Sequence, residues 1–285
     1  MKKSQIFFIS LIIILAVTGC DKLKRPELPK NYPVDAEVNP TTPLRFFLSF
    51  DSTSADDKQI NIRFKDSISN YPCFFPDPSI GYMPGVTGTA FQGSSSAFVH
   101  YVNANDFSKS TSFTISFWLN ATLDQKDHVN ADGVLCLPST TNFWSNFVVF
   151  ADHESSTSDS MQLKFVFANG TGNNWDFAGY TGDKRWPGMY DGKWHHVAFT
   201  YDASSKTGTL YRDGIQFDQK TNETILFDGN ATGFVVGGFQ EMLGIVDSWS
   251  NNGWMSGWPG GIDQVRLYNT AMTATDIQSL YNNKQ

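Results

Sequence analysis

The stretch Asp191–Phe217, DGKWHHVAFTYDASSKTGTLYRDGIQF, decides the fold of this chain. From Trp194 to Tyr201 the side chains alternate between two faces, and a period of two residues predicts a β-strand. A polar segment and a second short run, Thr209–Arg212, follow this strand. Asp213-Gly214 then supplies the positive φ angles of a tight hairpin turn. The stretch therefore predicts a strand, a loop, a second strand, a turn and a third strand.

Two further segments extend the pattern: Thr111–Asn120 (TSFTISFWLN) and Gly260–Tyr281 (GGIDQVRLYNTAMTATDIQSLY). Together with Asp191–Phe217, and in this order, they resemble the laminin-G-like, concanavalin A-like jelly-roll domains. The resemblance implies an all-β fold, a concanavalin A-like jelly-roll β-sandwich of two antiparallel sheets with a short C-terminal helix. It implies no single function, because the same sandwich hosts sugar-binding modules, adhesion modules and enzymes.

Periodicity predicts the remaining elements. The residue after Ala271-Met272, Thr273, is expected to cap the C-terminal helix because Asp276 stands three residues later. Alternation or short apolar runs predict strands at Leu44–Phe50, Gly88–Gln92, Ala97–Val102, Ser112–Asn120, Asn146–Ala151, Met161–Ala168, Thr224–Phe227, Phe234–Gly237 and Ile262–Tyr268.

The N-terminus predicts export. Lys2 and Lys3 precede an apolar run, Ile6–Val17, that is short for a membrane span and has the shape of a secretory signal. Small residues directly before Cys20 resemble a bacterial lipobox, which implies that residues 1–19 are a lipoprotein signal peptide and that Cys20 is lipidated. An ordinary signal peptide with an incidental cysteine is the alternative. We expect a bacterial cell-envelope protein, anchored through lipid at the outer membrane or cell surface, and the leaflet stays open.

Residues 20–43 predict a tether and residues 44–285 the folded domain. The tether contains five prolines among polar and charged residues, a composition that favours extended conformations without a core. Phe, Tyr and Trp make up 15% of the chain and charged residues 17%, which favours a packed β protein. The net charge of −7, with no Lys/Arg cluster, argues against nucleic acid as a partner.

Tryptophan placement suggests a ligand. Trp118 and Trp194 lie in predicted strands and are expected to pack internally. The other six lie in segments rich in Gly, Asn, Ser and Asp, which predict loops: Trp144, Trp175, Trp186, Trp249, Trp254 and Trp258. Such indoles either pack under their loops or display a recognition surface. A sugar offers an apolar face to an indole and hydroxyls to amides and carboxylates, so a glycan or polysaccharide is the expected partner.

We predict a carbohydrate-binding surface from these loops. Its expected ligand contacts are Trp175, Trp186, Trp254, Asn173, Asn174, Asp176, Arg185 and Asn252. The predicted function is non-catalytic glycan binding by a cell-envelope lipoprotein. A protein-binding adhesion or assembly module is one alternative, and a cryptic glycoside hydrolase or lyase is another.

Catalysis is not expected. Glycosidases usually need two carboxylates on a rigid frame. The known hydrolases of this fold share an E-x-D-x-E strand, and none of the five glutamates, Glu27, Glu37, Glu154, Glu223 and Glu241, has that context. The sequence also lacks the G-x-S-x-G and H-E-x-x-H motifs. His195 and His196 are adjacent on a strand, so they face opposite sides and cannot act as a pair.

The resemblance implies one metal site. Members of this family often hold a structural calcium near the end of the first strand, and Asp51 and Asp263 occupy matching positions. Oxygen ligands suit Ca²⁺; a capped turn at Asp51 and a solvated or turn-bonding Asp263 are the alternative. Cys73 and Cys136 could form a disulfide in an oxidising compartment or remain two buried thiols.

Overall fold

The computed structural model describes residues 38–51, 63–74, 77–125, 130–152, 159–177, 185–229, 231, 233–245 and 255–284; for residues 174–177 it describes the backbone. The chain divides into two units, Met1–Ala36 and Glu37–Gln285, and the described residues all belong to the second. The predicted signal peptide, Cys20 and most of the predicted tether lie outside the described residues and stay predictions. Within the described part of the chain, no helix has the length and apolar character needed to cross a bilayer.

The described residues form fifteen strands. In chain order they are β1 Leu44–Leu48, β2 Gly81–Pro84, β3 Thr89–Gln92, β4 Val99–Tyr101, β5 Phe113–Thr122, β6 Ala131–Leu137, β7 Phe147–Ala151, β8 Leu163–Ala168, β9 Asn173–Phe177, β10 Asp191–Asp202, β11 Thr207–Arg212, β12 Ile215–Lys220, β13 Phe234–Val236, β14 Met255–Gly257 and β15 Gly261–Tyr268. The helices are short: 3₁₀ turns η1 Phe107–Lys109, η2 Leu123–Gln125 and η3 Gln240–Leu243, and the C-terminal helix α1 Ala274–Asn282.

These strands build two sheets. The first runs β12-β11-β10-β5-β15-β3-β2, and β1 pairs with β15. The second runs β4-β13-β6-β7-β8-β9, and β14 lies parallel to β6. Every other strand pair described is antiparallel. The arrangement confirms the predicted β-sandwich of two antiparallel sheets with a short C-terminal helix.

The core lies between the two sheets, where the alternation in β10 predicts it. Val197, Phe199 and Tyr201 are buried in the main apolar cluster. Phe199 stacks on Phe167 of the opposite sheet with ring centroids 4.4 Å apart. Burial of one aromatic ring is worth a few kcal/mol relative to exposure, so this layer dominates the stability of the domain.

The outer face of the first sheet is covered by α1. Thr273 and Asp276 form the predicted capping box, in which each side chain accepts from the other residue's backbone N–H. The helix buries Ile277 against Ala198 and Tyr211. The cap and this apolar contact together explain why a helix of nine residues is stable here.

The outer face of the second sheet carries its own apolar cluster, covered by loops. This outer-face cluster consists of Ala131, Cys136, Val148, Phe150, Val166, Val235 and Phe239. Four partly buried side chains pack on it: Phe98, Trp144, Leu243 and Met255. Trp144 stacks on Phe150 with ring centroids 5.8 Å apart. The loop cover therefore comes from distant parts of the sequence.

The predicted strand pattern needs correction in several places, among them β14, which lies in a segment predicted to be a loop. Thr224–Phe227 is not a strand; Leu226 makes only an isolated bridge with Asn169. Residues Asn173–Phe177 form strand β9 although their polar composition predicted a loop, because Ala168 and Phe167 of β8 provide backbone partners. Strand β6 was missed because all seven of its residues are buried and so show no alternation.

Candidate functional site

A polar pocket lies at one end of the second sheet, where three loops meet. The β6–β7 and β8–β9 loops are joined by a hydrogen bond from Ala168 N to Asn146 O, and the β12–β13 loop by one from Leu226 N to Ala168 O. The pocket encloses about 390 Å³. Its lining, which we call the loop pocket, is Thr141, Asn142, Phe143, Ala168, Gly170, Thr171, Gly172 and Asp228.

Asp228 organises one wall of the loop pocket. Its Oδ2 accepts from Thr141 Oγ1 at 2.7 Å and also from Ser139 Oγ. Its backbone N–H donates to Asn146 Oδ1 at 2.7 Å. The carboxylate is therefore bonded across two loops, the β12–β13 loop that carries it and the β6–β7 loop.

Gln240, the first residue of η3, holds the β6–β7 loop in place through hydrogen bonds from its buried amide. It is 3% exposed. Its Oε1 accepts from Ser139 N at 2.7 Å and Ser145 Oγ at 2.8 Å. Its Nε2 donates to the carbonyl oxygens of Asn142 and Phe143 at 2.7 and 2.9 Å. A buried amide with all its bonds made fixes the loop, so little ordering entropy remains to be lost when a ligand binds.

The opposite wall is the tight turn between β8 and β9. Gly170 adopts a φ of 83°, which glycine tolerates without strain. The Asn169 side-chain oxygen accepts from Thr171 N at 3.1 Å and from Thr171 Oγ1 at 3.3 Å. This turn leaves Thr171 exposed at the pocket. Leu226, which is 55% exposed, lies next to Gly170 and adds an apolar surface.

The lining of the loop pocket combines hydrogen-bonding groups with one aromatic ring. Thr141, Asn142 and Thr171 provide donors and acceptors, Asp228 provides a carboxylate, and Phe143 provides one aromatic ring. Few convergent polar groups beside an apolar surface are typical of small-ligand sites.

Trp186 must be removed from the predicted ligand contacts. It is 1% exposed. Its Nε1 donates to Leu163 O at 3.2 Å, and its ring stacks on Phe217 at 4.3 Å. The segment around it pairs with Met161, which draws the indole into the core instead of leaving it on a loop. Trp258 is buried in the same way, at 1% exposure.

The other predicted ligand contacts differ in how much of each residue the structure describes. Asn173 is half-buried and directly follows the pocket residue Gly172, and Arg185 is half-buried beside Trp186. Asn174, Trp175 and Asp176 lie in β9, where the side chains are not described. Trp254 and Asn252 lie outside the described residues. The structure thus brings Asn173 next to the loop pocket and does not bring Trp186 there.

Sequence reasoning missed the residues that shape the pocket. Thr141, Asn142 and Thr171 lie in the two segments selected for Trp144 and Trp175, but these three side chains were not among the predicted ligand contacts. Asp228 belongs to an Asp-Gly dipeptide, which predicts a turn and is the one local signal for this residue. Gln240 carries no local signal, because its partners lie about 100 positions away.

The two predicted metal ligands do meet, at the turn that leads into β3. Asp263 is fully buried; its Oδ2 accepts from Val86 N at 2.8 Å and its Oδ1 from Gln264 N at 2.8 Å. Asp51 Oδ1 accepts from Thr89 N at 2.8 Å. Burial, together with the nearby Asp51 charge, raises the pKa of Asp263 to about 7. Across the described residues, no group of three or more His, Cys, Asp or Glu side chains is arranged to hold a metal.

The paired histidines behave as their strand positions predict. His196 is fully buried on the outer face, its Nε2 is 2.9 Å from Ser116 Oγ, and burial lowers its pKa to about 4. His195 lies between Asp213 (3.0 Å) and Asp191 (3.2 Å). The hydrogen bond with Asp213 raises the pKa of His195. This contact ties β10 to the hairpin turn and is a structural role.

The open question of the cysteines is resolved. Cys73 and Cys136 are buried thiols that form no disulfide with each other. Burial raises the pKa of each thiol to about 12, so both are protonated at neutral pH.

The sequence matches the laminin-G-type family of the concanavalin A-like lectin/glucanases superfamily over residues 93–278. The match covers more than half of the chain, and the chain belongs to this family. No curated protein sequence matches it.

Solved structures share the fold at low identity. Domain 4 of an extracellular GH43 arabinanase from Geobacillus stearothermophilus, in complex with arabinotriose, is similar at 18% identity and a TM-score of 0.52, covering 84% of this chain and 98% of that domain. The binding domain of Paraclostridial Mosquitocidal Protein 1 is similar at 17% identity and a TM-score of 0.52, covering 84% of this chain and 52% of that one.

The binding domain of botulinum neurotoxin DC, in complex with rat synaptotagmin II, is similar at 16% identity and a TM-score of 0.50, covering 85% and 52% of the two chains. The chain spans about half the length of these two toxin domains. At such identities the likeness establishes the jelly-roll fold.

Proposed function

We propose that this protein is a non-catalytic carbohydrate-binding protein and that the loop pocket is its ligand site. The observation that carries the proposal is the preorganised polar pocket itself. Asp228, Thr141 and Thr171 present oxygen atoms from three loops, and Phe143 lies among them. A sugar offers hydroxyls to such oxygens and a C–H face to a ring.

The comparisons support the same class of function. The family description includes lectins, and the arabinanase domain is described in complex with arabinotriose. The botulinum neurotoxin domain, in contrast, is described in complex with a protein. A protein-binding module is therefore the alternative, and the binding test below separates the two.

Binding without turnover fits the pocket lining. Glycoside hydrolysis usually uses two carboxyl groups, roughly 5–10 Å apart. Among the described lining residues, Asp228 is the single carboxylate, and its Oδ2 already accepts two hydroxyl hydrogen bonds. We therefore propose that the protein holds a glycan for other proteins to process.

Affinity electrophoresis in gels containing soluble polysaccharides tests the proposal. Thr171→Val removes one hydroxyl from an exposed position, so we expect a folded protein with about 5- to 10-fold weaker binding, one hydrogen bond's worth. Thr275→Val, on the exposed face of α1, is the matched control and should bind like the wild type. If arabinan, xylan, mannan, glucan and dextran all leave the wild type unretarded, the proposed function is wrong.

We further propose that Asp51 and Asp263 hold a structural Ca²⁺. Two carboxylates bonded to one turn, one of them fully buried and accepting from backbone N–H groups, fit an oxygen-ligated cation. Thermal unfolding in CaCl₂ and in EDTA tests this. We expect a higher Tm in CaCl₂, a gain absent from Asp263→Asn and retained by Asp202→Asn; equal Tm values for the wild type would contradict it.

The proposal also includes a lipid anchor at Cys20, supported by the sequence of the first twenty residues. Labelled palmitate should be incorporated into the protein expressed in a bacterial host, and Cys20→Ala should abolish both the label and membrane association. An unlabelled wild type would contradict the anchor and leave the binding proposal standing.

A further inference from the structure

Phe74 holds an aromatic ring in solvent at the edge of the second sheet. It is 52% exposed. Its ring stacks on the His100 imidazole, with centroids 4.9 Å apart and planes 29° from parallel. Its backbone N–H donates to His100 O at 2.8 Å, which fixes the residue against β4. A half-exposed ring that is already held in place can contact a ligand with little ordering cost.

The ring forms one wall of a second hollow of about 320 Å³. The lining of this edge pocket is Phe74, Asp77, Ser96, Ala97, Phe98, His100 and Leu243. Asp77 Oδ1 accepts from Ser79 N at 2.8 Å, and the hydrogen bonds with Ser79 lower the pKa of Asp77. Aromatic rings beside an ionised carboxylate and a hydroxyl offer a sugar both its stacking face and its hydrogen-bond partners.

The short turn η3 connects the edge pocket to the loop that lines the loop pocket. Gln240, its first residue, bonds to the backbone of pocket residues Asn142 and Phe143. Leu243, its last residue, lines the edge pocket. At about 2 Å rise per residue, the two residues are separated by about 6 Å along the turn. Phe98 and Leu243, which line the edge pocket, and Trp144, which follows the loop-pocket residue Phe143, pack on the same outer-face cluster.

From this arrangement we infer that the edge pocket is a second subsite of the carbohydrate-binding surface. The protein then binds an extended glycan chain across η3, with the loop pocket holding one part of the chain and Phe74 stacking on another. The inference rests on the proposed function, because it assigns the second pocket to the same ligand.

Chain-length dependence of affinity tests this inference. The polysaccharide that retards the wild type in the gels is cut into oligosaccharides of increasing length, and each is titrated calorimetrically. Phe74→Ala removes the exposed ring, and Asp77→Asn removes the charge with little change in shape. Tyr82→Ala is the matched control, since Tyr82 is 55% exposed but lies in β2 of the first sheet.

We expect Phe74→Ala to weaken binding of long chains about 3- to 10-fold, the value of one aromatic contact, and to leave the shortest bound oligosaccharide unchanged. Asp77→Asn should show the same length dependence, whereas Thr171→Val should weaken binding at every length. If long chains bind Phe74→Ala and Asp77→Asn as tightly as the wild type, the second subsite is wrong and the loop pocket stands. If the wild type binds no polysaccharide, the proposed function fails and this inference with it.

Discussion

The two sheets cover their outer faces by different means. The first uses a capped helix, α1, which places Ile277 on Ala198 and Tyr211. The second uses side chains from separate loops, among them Phe98, Trp144 and Leu243. A helix satisfies its own backbone and leaves a regular surface, whereas loops need side-chain partners and leave hollows between them. The edge pocket lies in this loop-built cover, and the loop pocket lies at the end of the same sheet, where the β6–β7 loop that carries Trp144 also lines it.

The hollow on the helix side differs in kind. It measures about 590 Å³, is broad and open, and lies between the Gly214 turn and the exposed face of α1. Its lining includes Ile215, which is 69% exposed, and the helix residues Thr275 and Gln278. It contains no carboxylate or aromatic ring among its described lining residues. We therefore expect the ligand to bind at the second sheet and not in the hollow beside α1.

The largest expected effect on stability comes from the helix cover. Ile277→Ala leaves a cavity beneath α1, and we expect a loss of about 2–5 kcal/mol in the free energy of unfolding. Urea denaturation measures it. Ile215→Ala is the matched control, because an exposed side chain should change the value by no more than about 0.5 kcal/mol. Equal losses in both variants would contradict the assigned role of the helix.

Gln240 is the corresponding test of the loop cover. Gln240→Ala leaves buried partners at Ser139 and Asn142 without their hydrogen bonds, so we expect a loss of about 1–3 kcal/mol and weaker glycan binding together. Urea denaturation and affinity electrophoresis measure the two effects. Gln216→Ala, an exposed change in β12, should alter neither. Full binding by Gln240→Ala would show that the loop pocket does not depend on η3.

The helix cap should matter less than the contact it supports. Thr273→Ala removes the oxygen that accepts from Asp276 N, which typically costs about 1 kcal/mol. Thr273→Ser keeps that oxygen and serves as the control. We expect the Tm to fall in the first variant alone and glycan binding to stay unchanged in both. If Thr273→Ala also weakened glycan binding, the helix on the first sheet would be coupled to the loops on the second, and the two outer faces would not be independent.

The smallest expected effect is a pH dependence in the first sheet. Asp213 raises the pKa of His195 in the folded protein. The charged histidine therefore stabilises the fold fully below its unfolded pKa of about 6.5, and this contribution is lost as pH rises through the folded pKa. We expect a shallow fall in Tm above pH 6.5 that is reduced in Asp213→Asn. An identical pH profile in the variant would exclude this pair as its source.

Sequence periodicity predicts a strand when its two faces lie in different surroundings. The β10 strand alternates because one face meets the core and the other meets α1, so Val197 and Ala198 carry different signals. No such signal exists in β6, where both faces are buried. The fold class was therefore predictable, because three local segments carry the family pattern, while individual buried or polar strands were not.

The candidate site was less predictable for a related reason. Loop composition located the segments around Trp144 and Trp175 but could not show which side chains turn inward. Trp186 lies in a Gly- and Asp-rich segment, yet a bridge to Met161 carries it into the core. The Asp228 and Gln240 contacts join residues about 90 to 100 positions apart, and such pairings are set by the fold as a whole.

The reactivity of the Cys136 thiol can measure how often the loops over the second sheet open. Its thiol is fully buried in the outer-face cluster and lies 3.0 Å from Ser145 Oγ, beneath the β6–β7 loop. An alkylating reagent can reach that sulfur only while the loop is lifted, so the labelling rate counts opening events of the pocket wall. Cys73, buried in the main core, records opening of the sandwich in the same sample. The ratio of the two labelling rates would distinguish local opening of the β6–β7 loop from unfolding of the whole domain.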